Sequence, residues 1–251
     1  MLYLISLGLS LKSISIEGFE ALKKCSEIYF ENYTSTNNFS VEDLEKFVGR
    51  KIIPLNRKQV EVEKPFFKNA KLKNTALLVC GDALSATTHM EIINSAKRKK
   101  IKVKIFHNAS IITAVAETGL SLYKFGKIAS IPFWQENFNP QSFFDILEQN
   151  KKIGAHTLFL LDLRPEKKEY MSIKQAIEIL LKIAKKRKSN KFTETTFCIG
   201  CSQLGTQKQT IISGTAKKLM KRKFGTPACL IVPASLSNHE AEALSCARPR
   251  D

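Results

Sequence analysis

Long hydrophobic runs are missing from this chain of 251 residues: no window reaches the roughly 18 uninterrupted apolar residues that a membrane-spanning helix needs. The N-terminus runs straight into Leu2-Tyr3-Leu4-Ile5 without the basic lead of a signal peptide, which argues against secretion. Cysteine is sparse. Cys25, Cys80, Cys198, Cys201, Cys229 and Cys246 are scattered along the chain, which excludes the dense framework of a small disulfide scaffold. These shortages lead us to expect reduced thiols in a soluble, cytoplasmic protein. Cys198-Ile-Gly-Cys201 has the spacing of a redox pair or half a zinc site. No second pair accompanies it, and the apolar run around Cys198 reads as a strand, so two packed thiols account for it better.

Acidic residues are also short. With 23 Asp and Glu against 40 Lys and Arg, the formal charge is +17, which draws acidic partners, whether nucleic acid, anionic lipid or protein. The densest runs, Lys97-Arg98-Lys99-Lys100, Lys185-Lys186-Arg187-Lys188 and Lys217-Lys218 with Lys221-Arg222-Lys223, fall near the ends of predicted helices, where cations meet the negative end of the dipole. No aromatic residues interleave with them as stacking platforms would, so solvated helix ends explain them better than a nucleic-acid face. A G-x-G-x-x-G fingerprint, a catalytic triad, a phosphate loop and a metal-ligand cage are absent too. His89, His107, His156 and His239 stand far apart without ligand spacing, so we expect no metal.

What is present is enough apolar side chain, 43%, to build a core, arranged in an α/β rhythm. Apolar stretches of strand length alternate with helical periodicity through the first half, the signature of βαβ units and a parallel sheet. Strands are predicted at residues 2–7, 27–30, 51–55, 75–79 and 102–106. The intervening helices cover about 15–24, with Ile16, Phe19, Ala21 and Leu22 inward, then 41–48, capped by Ser40, and 90–99. Beyond about Asn108 the rhythm changes, and a second domain is predicted, giving domains 1–108 and 109–251. It should hold helices near 141–150, 172–186 and 215–221, and strands near 156–161, 195–201, 209–212 and 229–232. The tail from Ala247 to Asp251 reads as disordered.

An open parallel sheet binds ligands at the carboxyl ends of its strands, so polar loops directly after apolar strands are the candidate sites. Gly8 follows the first strand and lets a ligand approach the backbone. Gly81-Asp82 follows the fourth and runs into Thr87-Thr88-His89. On residue chemistry alone that segment serves equally as a ligand site or as a turn with a helix cap. Ser110, in Asn108-Ala109-Ser110-Ile111, is a cap or a ligand contact, and Asn56-Arg57 is a polar pair or plain loop.

At these residues the chain resembles the diphthine synthases, within the tetrapyrrole-methylase-like class of S-adenosylmethionine-dependent methyltransferases. That family's GDPLVATTH loop stands here as Gly81 to His89, with Ala83 for proline and Ser85 for valine. Supporting segments occur in order: Tyr33-Thr34-Ser35, Leu55-Asn56-Arg57, Tyr123 to Lys127, Ile131-Pro132-Phe133, Glu136-Asn137-Phe138, and His156 to Asp162. The resemblance implies two α/β domains, the first with a mainly parallel and the second with a mixed sheet, the cofactor in a cleft between them, and a homodimer. Carried over by position, the S-adenosylmethionine contacts are Leu9, Asp82, Ser85, Ser110, Ile111, Leu161 and Leu204. His89, Tyr33 and Arg57 are candidates for the acceptor side, and no catalytic acid or base is assigned. The implied reaction transfers methyl groups to the amino nitrogen of a modified histidine of translation elongation factor 2, giving the trimethylammonium of diphthine. Three departures stand out. Ser6 replaces a glycine, Ser202-Gln203-Leu204-Gly205 replaces Ala-Arg-Ala-Gly, and Pro227-Ala228-Cys229-Leu230 lacks the family's cofactor-contacting histidine. The alternatives are a methyltransferase of the same fold acting on a corrin precursor or RNA, a degenerate enzyme, and a non-catalytic, basic nucleic-acid-binding protein.

Overall fold

The computed structural model describes residues 1–33 and 39–246, so Thr34, Ser35 and the tail expected to be disordered lie outside the described residues. The chain divides into two compact units, Met1–Ala114 and Val115–Asp251, a division placed later than the change of rhythm at Asn108 suggested.

The first unit runs β1 (Leu2–Ser6), α1 (Ile16–Lys23), β2 (Glu27–Glu31), α2 (Val41–Val48), β3 (Ile53–Leu55), α3 (Phe66–Ala70), β4 (Thr75–Val79), α4 (Met90–Arg98), β5 (Val103–Phe106) and α5 (Ile111–Ala114). Its strands lie in the order β3-β2-β4-β1-β5, and every pairing is parallel. Because successive side chains of a strand point to opposite faces, β1 and β4 feed two cores. Leu2, Leu4, Leu77 and Val79 pack with Phe66, Phe67, Ile92 and Ala96 on one face. Ile5, Leu7, Ala76 and Leu78 pack with Ala21, Leu22 and Leu44 on the other.

Local signals place the helices well. Ser40 caps α2 in a reciprocal box with Asp43. On α1 the buried side is Gly18, Ala21 and Leu22, one turn apart, whereas Ile16, expected to point inward, is 81% exposed. The reason is phase: two residues before Gly18 is more than half a turn round the helix. Two elements had no readable pattern, α3 and a single turn of π-helix at Gln59–Glu63.

The second unit comprises β6 (Ala129–Ile131), α6 (Ser142–Lys152), β7 (Thr157–Leu161), β8 (Leu163–Arg164), β9 (Glu169–Tyr170), α7 (Ile173–Arg187), β10 (Phe197–Ser202), β11 (Thr210–Thr215), α8 (Ala216–Leu219), β12 (Ala228–Val232) and α9 (Asn238–Cys246). Its main sheet, β11-β10-β12-β7-β6, is mixed: β6 runs parallel to β7 and the other pairs are antiparallel. Phe143, Phe144 and Leu147 of α6 and Ile177, Leu180 and Ile183 of α7 meet Phe159 and Leu230 in the core. Cys198 and Cys201 are three apart on β10 and so face opposite sides; Cys198 joins this core, and Cys201 sits opposite Cys229. Among the described residues, no group of three or more His, Cys, Asp or Glu is placed to hold a metal ion. None of the described helices is long and apolar enough to cross a membrane.

Candidate functional site

The loops after β1 and β4 are the ones that diverge in the first unit, since β1 leads to β2 on one side and β4 to β5 on the other. They are tied at their mouths. Gly8 and Gly81 exchange backbone hydrogen bonds of 3.0 and 2.9 Å, each at a positive φ, +72° and +68°, where glycine carries no penalty. A Cβ placed on Gly81 would rest in ordinary van der Waals contact with the Ala109 carbonyl and Ser110, 3.9–4.0 Å away, so the loop after β5 packs close to this backbone.

Asp82 comes next, 5% exposed. Its Oδ1 accepts from the Leu84 N–H (2.9 Å) and the Ser85 hydroxyl (3.2 Å); its Oδ2 accepts from His107 Nδ1 (2.8 Å) and the Asn108 N–H (3.1 Å). Burial pushes the carboxyl's pKa up, but these hydrogen bonds and the His107 ring outweigh it and hold the group below the ordinary carboxylate value. The side chain is thus a latch between the β4–α4 and β5–α5 loops, and its lone pairs are engaged within the protein.

Ser110, 3% exposed, behaves as a cap: its hydroxyl accepts from the Ile112 N–H at 3.2 Å, and Thr113 bonds back to it. Leu9, Ser85 and Ile111 are half-buried. Five of the seven expected cofactor residues therefore belong to one corner of the first unit. Leu161, at the end of β7, and Leu204, in the turn after β10, are buried in the second unit.

Substituted positions of the corner compensate each other. Ala83 has an N–H that the family's proline lacks, and it donates to the Ser6 hydroxyl at 2.9 Å, where the family has glycine; both residues are buried.

His89 is almost fully buried. Its Nδ1 donates to the Ala83 carbonyl at 3.0 Å, and its Nε2 lies 2.6 Å from the Glu31 carboxylate at the end of β2. Burial opposes the charged ring, yet the hydrogen bond and charge of Glu31 prevail and raise the histidine's pKa. Nearby, the buried Tyr33 hydroxyl donates to Glu61 at 3.3 Å, and Arg57 lies over the Tyr33 ring, 5.2 Å from its centroid. Asn56 opens the helical turn by exchanging hydrogen bonds with Gln59. Of the three acceptor-side candidates, His89 lines a cleft of about 230 Å³ together with Glu61 and Thr88, whereas Tyr33 and Arg57 are outside its lining and reach it through Glu61. Glu31 and Glu61 had no readable signal, because each acts through a partner distant in sequence, and Ser6 was legible only as a departure from the family's glycine.

A family model described as tetrapyrrole (corrin/porphyrin) methylases matches residues 1–220. The diphthine methyl ester synthase of Saccharomyces cerevisiae is 41% identical, over 96% of this chain and 87% of the relative. That of Homo sapiens is 37% identical, over 98% and 94%. A crystal structure of diphthine synthase matches with a TM-score of 0.88 at 36% identity, covering 97% of this chain and 94% of that one. A solved structure from Entamoeba histolytica matches with a TM-score of 0.92 at 37% identity, covering 99% of each chain.

Proposed function

The chain belongs to the tetrapyrrole methylase family and, within it, groups with the diphthine synthases as a methyltransferase; on that premise we propose that it methylates the modified histidine of elongation factor 2 from S-adenosylmethionine, in diphthamide biosynthesis. The single observation that carries this reading is near-complete coverage by relatives of one named activity. The relatives are named for a methyl ester, so a carboxylate oxygen joins the amino nitrogen as a proposed acceptor. We also take the chain to work as a cytoplasmic homodimer, which sedimentation and cell fractionation would test.

The corner at the ends of β1 and β4 fits the donor. The half-buried apolar Leu9 and Ile111 and the Ser85 hydroxyl suit an amphipathic nucleoside held largely through backbone. When bound, S-adenosylmethionine supplies an electrophilic methyl group on sulfur. Asp82 acts by shaping: its four accepted hydrogen bonds fix the backbone of both loops, so the pocket is formed before the ligand arrives. In-line transfer needs an aligned lone pair more than a strong base, so positioning supplies much of the rate.

The decisive experiment incubates the protein with labelled S-adenosylmethionine and elongation factor 2 carrying the unmethylated intermediate. Label is expected in the factor, with mass spectrometry reading successive methyl increments. No transfer, together with no binding of S-adenosylhomocysteine, would refute the assignment.

A further inference from the structure

The cleft in the first unit is built from unusual parts. One wall is the π-helical turn Gln59–Glu63, a rare form that recurs at functional sites, ended by Lys64 in the left-handed conformation at φ +50°. The other is the start of α4. Val60 and Ile92 give it an apolar base, Thr88 and His89 line it, and Glu61 and Lys64 bring opposite charges to it.

Those charges are held but not exhausted. The Lys64 ammonium, only 13% exposed, donates to the Ser95 hydroxyl at 2.8 Å and lies 3.7 Å from Glu91. With three donors it retains one to offer. The Glu61 carboxylate, 41% exposed, takes the Tyr33 hydroxyl and the weak approach of Arg57 at 3.9 Å on Oε1. Its Oε2 has no partner among the described residues. The cleft also carries the Glu91 carboxylate, which is engaged by the Ser95 hydroxyl and Arg98, so the Lys64 ammonium and the Glu61 carboxylate over an apolar base are the charges left to match a small group with both a carboxylate and an amine.

We propose that this cleft takes the amino- and carboxylate-bearing end of the acceptor side chain, Lys64 holding the carboxylate and Glu61 facing the nitrogen. This rests on the reaction proposed above. The cleft continues the loop that forms the cofactor corner, because His89 in its wall is bonded to Ala83, the neighbour of Asp82. Glu61 also has an electrostatic role. As the neutral amine's lone pair forms the N–C bond, the S–C bond breaks and its electron pair goes to sulfur, so positive charge moves from sulfur to nitrogen. A carboxylate beside the nitrogen stabilises that transition state.

The test measures, by calorimetry without cofactor, the affinity of a peptide carrying the modified histidine with its amino and carboxylate groups free. Lys64→Ala and the near-isosteric Glu61→Gln are each expected to weaken peptide binding about tenfold, the loss of one charge-assisted hydrogen bond. S-adenosylhomocysteine binding should change by less than about twofold on the same scale, and Lys64→Arg should restore part of the peptide affinity. Unchanged peptide affinity in both variants, or a matching loss of S-adenosylhomocysteine binding, overturns the proposal; the latter would assign the cleft to the donor's own amino-acid end. Methyl transfer by the unmodified protein is read separately, so a failed reaction with the binding pattern intact refutes the function and leaves the cleft assignment standing.

Discussion

Ser6 and Ala83 form a compensated pair whose energetics a double-mutant cycle can read. The Ala83 N–H donates to the Ser6 hydroxyl at 2.9 Å, with Ser6 1% and Ala83 0% exposed. Ser6→Ala strands a buried N–H without its acceptor, at a cost of about 1–3 kcal/mol. Ala83→Pro, the family's residue, removes the donor instead and leaves the Ser6 hydroxyl without it. Removing both partners together exchanges a buried hydrogen bond for apolar contact, which is close to neutral, and proline adds about 0.4–1 kcal/mol by restricting the unfolded chain. The double variant should therefore lie above the sum of the singles by about 1–2 kcal/mol, the range for groups in direct contact. At about 2–4 °C of Tm per kcal/mol for a chain of this size, Ser6→Ala should melt roughly 2–12 °C lower, and the double variant should regain most of that. Urea titration of the four proteins, followed by both circular dichroism and fluorescence, gives the cycle. If Ser6→Ala lies within about 0.3 kcal/mol of the parent, or the double variant costs the full sum, the coupling does not exist.

Asp82→Asn should loosen the latch, lowering S-adenosylhomocysteine affinity by at least about tenfold as the two loops lose their preset geometry; equal affinity by calorimetry would reassign the carboxylate to stability alone. In the second unit, Glu240 of α9 accepts from the Ser121 and Ser237 N–H groups, His156 Nε2 and Lys124 Nζ. Burial opposes its ionisation, but these partners hold its carboxyl well below the usual range. Its contribution is present above the ordinary carboxylate value near 4.5 and lost as pH falls through the depressed folded value. Glu240→Ala should cost about 3–5 kcal/mol at neutral pH, with the deficit shrinking toward strong acid in denaturant titrations. His89 runs the other way. Its folded pKa is raised, so the pair with Glu31 contributes fully below about 6.5 and loses that contribution as pH rises through the folded value. Comparing the Tm–pH profile of Glu31→Gln with the parent should show the difference closing at alkaline pH, and a constant gap would contradict a charged pair. The +17 charge should speed docking on an acidic factor, so the association rate should fall between low and physiological salt.

How far each feature could be read follows from how local its cause is. The alternation of buried strands with helices, the Ser40 cap and the buried Thr75–Val79 strand are written in neighbouring residues, and they stand where the sequence placed them. Gly81 to His89 was legible as a segment because its family likeness is contiguous. The role of Asp82 was not, since its partner His107 lies 25 residues away and arrives only when β5 pairs with β1. Glu31 meets His89, Glu240 meets His156 84 residues off, and Glu61 meets Tyr33 through the same kind of cause. Periodicity failed for α9 and the π-helical turn, whose short, weakly amphipathic sequences carry no repeat to detect.

The sequence by itself determined the class of fold, the caps and the family, because propensity, hydrophobic period and contiguous motif are properties of the chain in one dimension. Only the tertiary structure decided which buried charges are paired, that Asp82 is a latch, and that opposite charges share one cleft. A parallel sheet brings together strand ends far apart in sequence, and the free energy of a buried polar group depends on the partner it finds there.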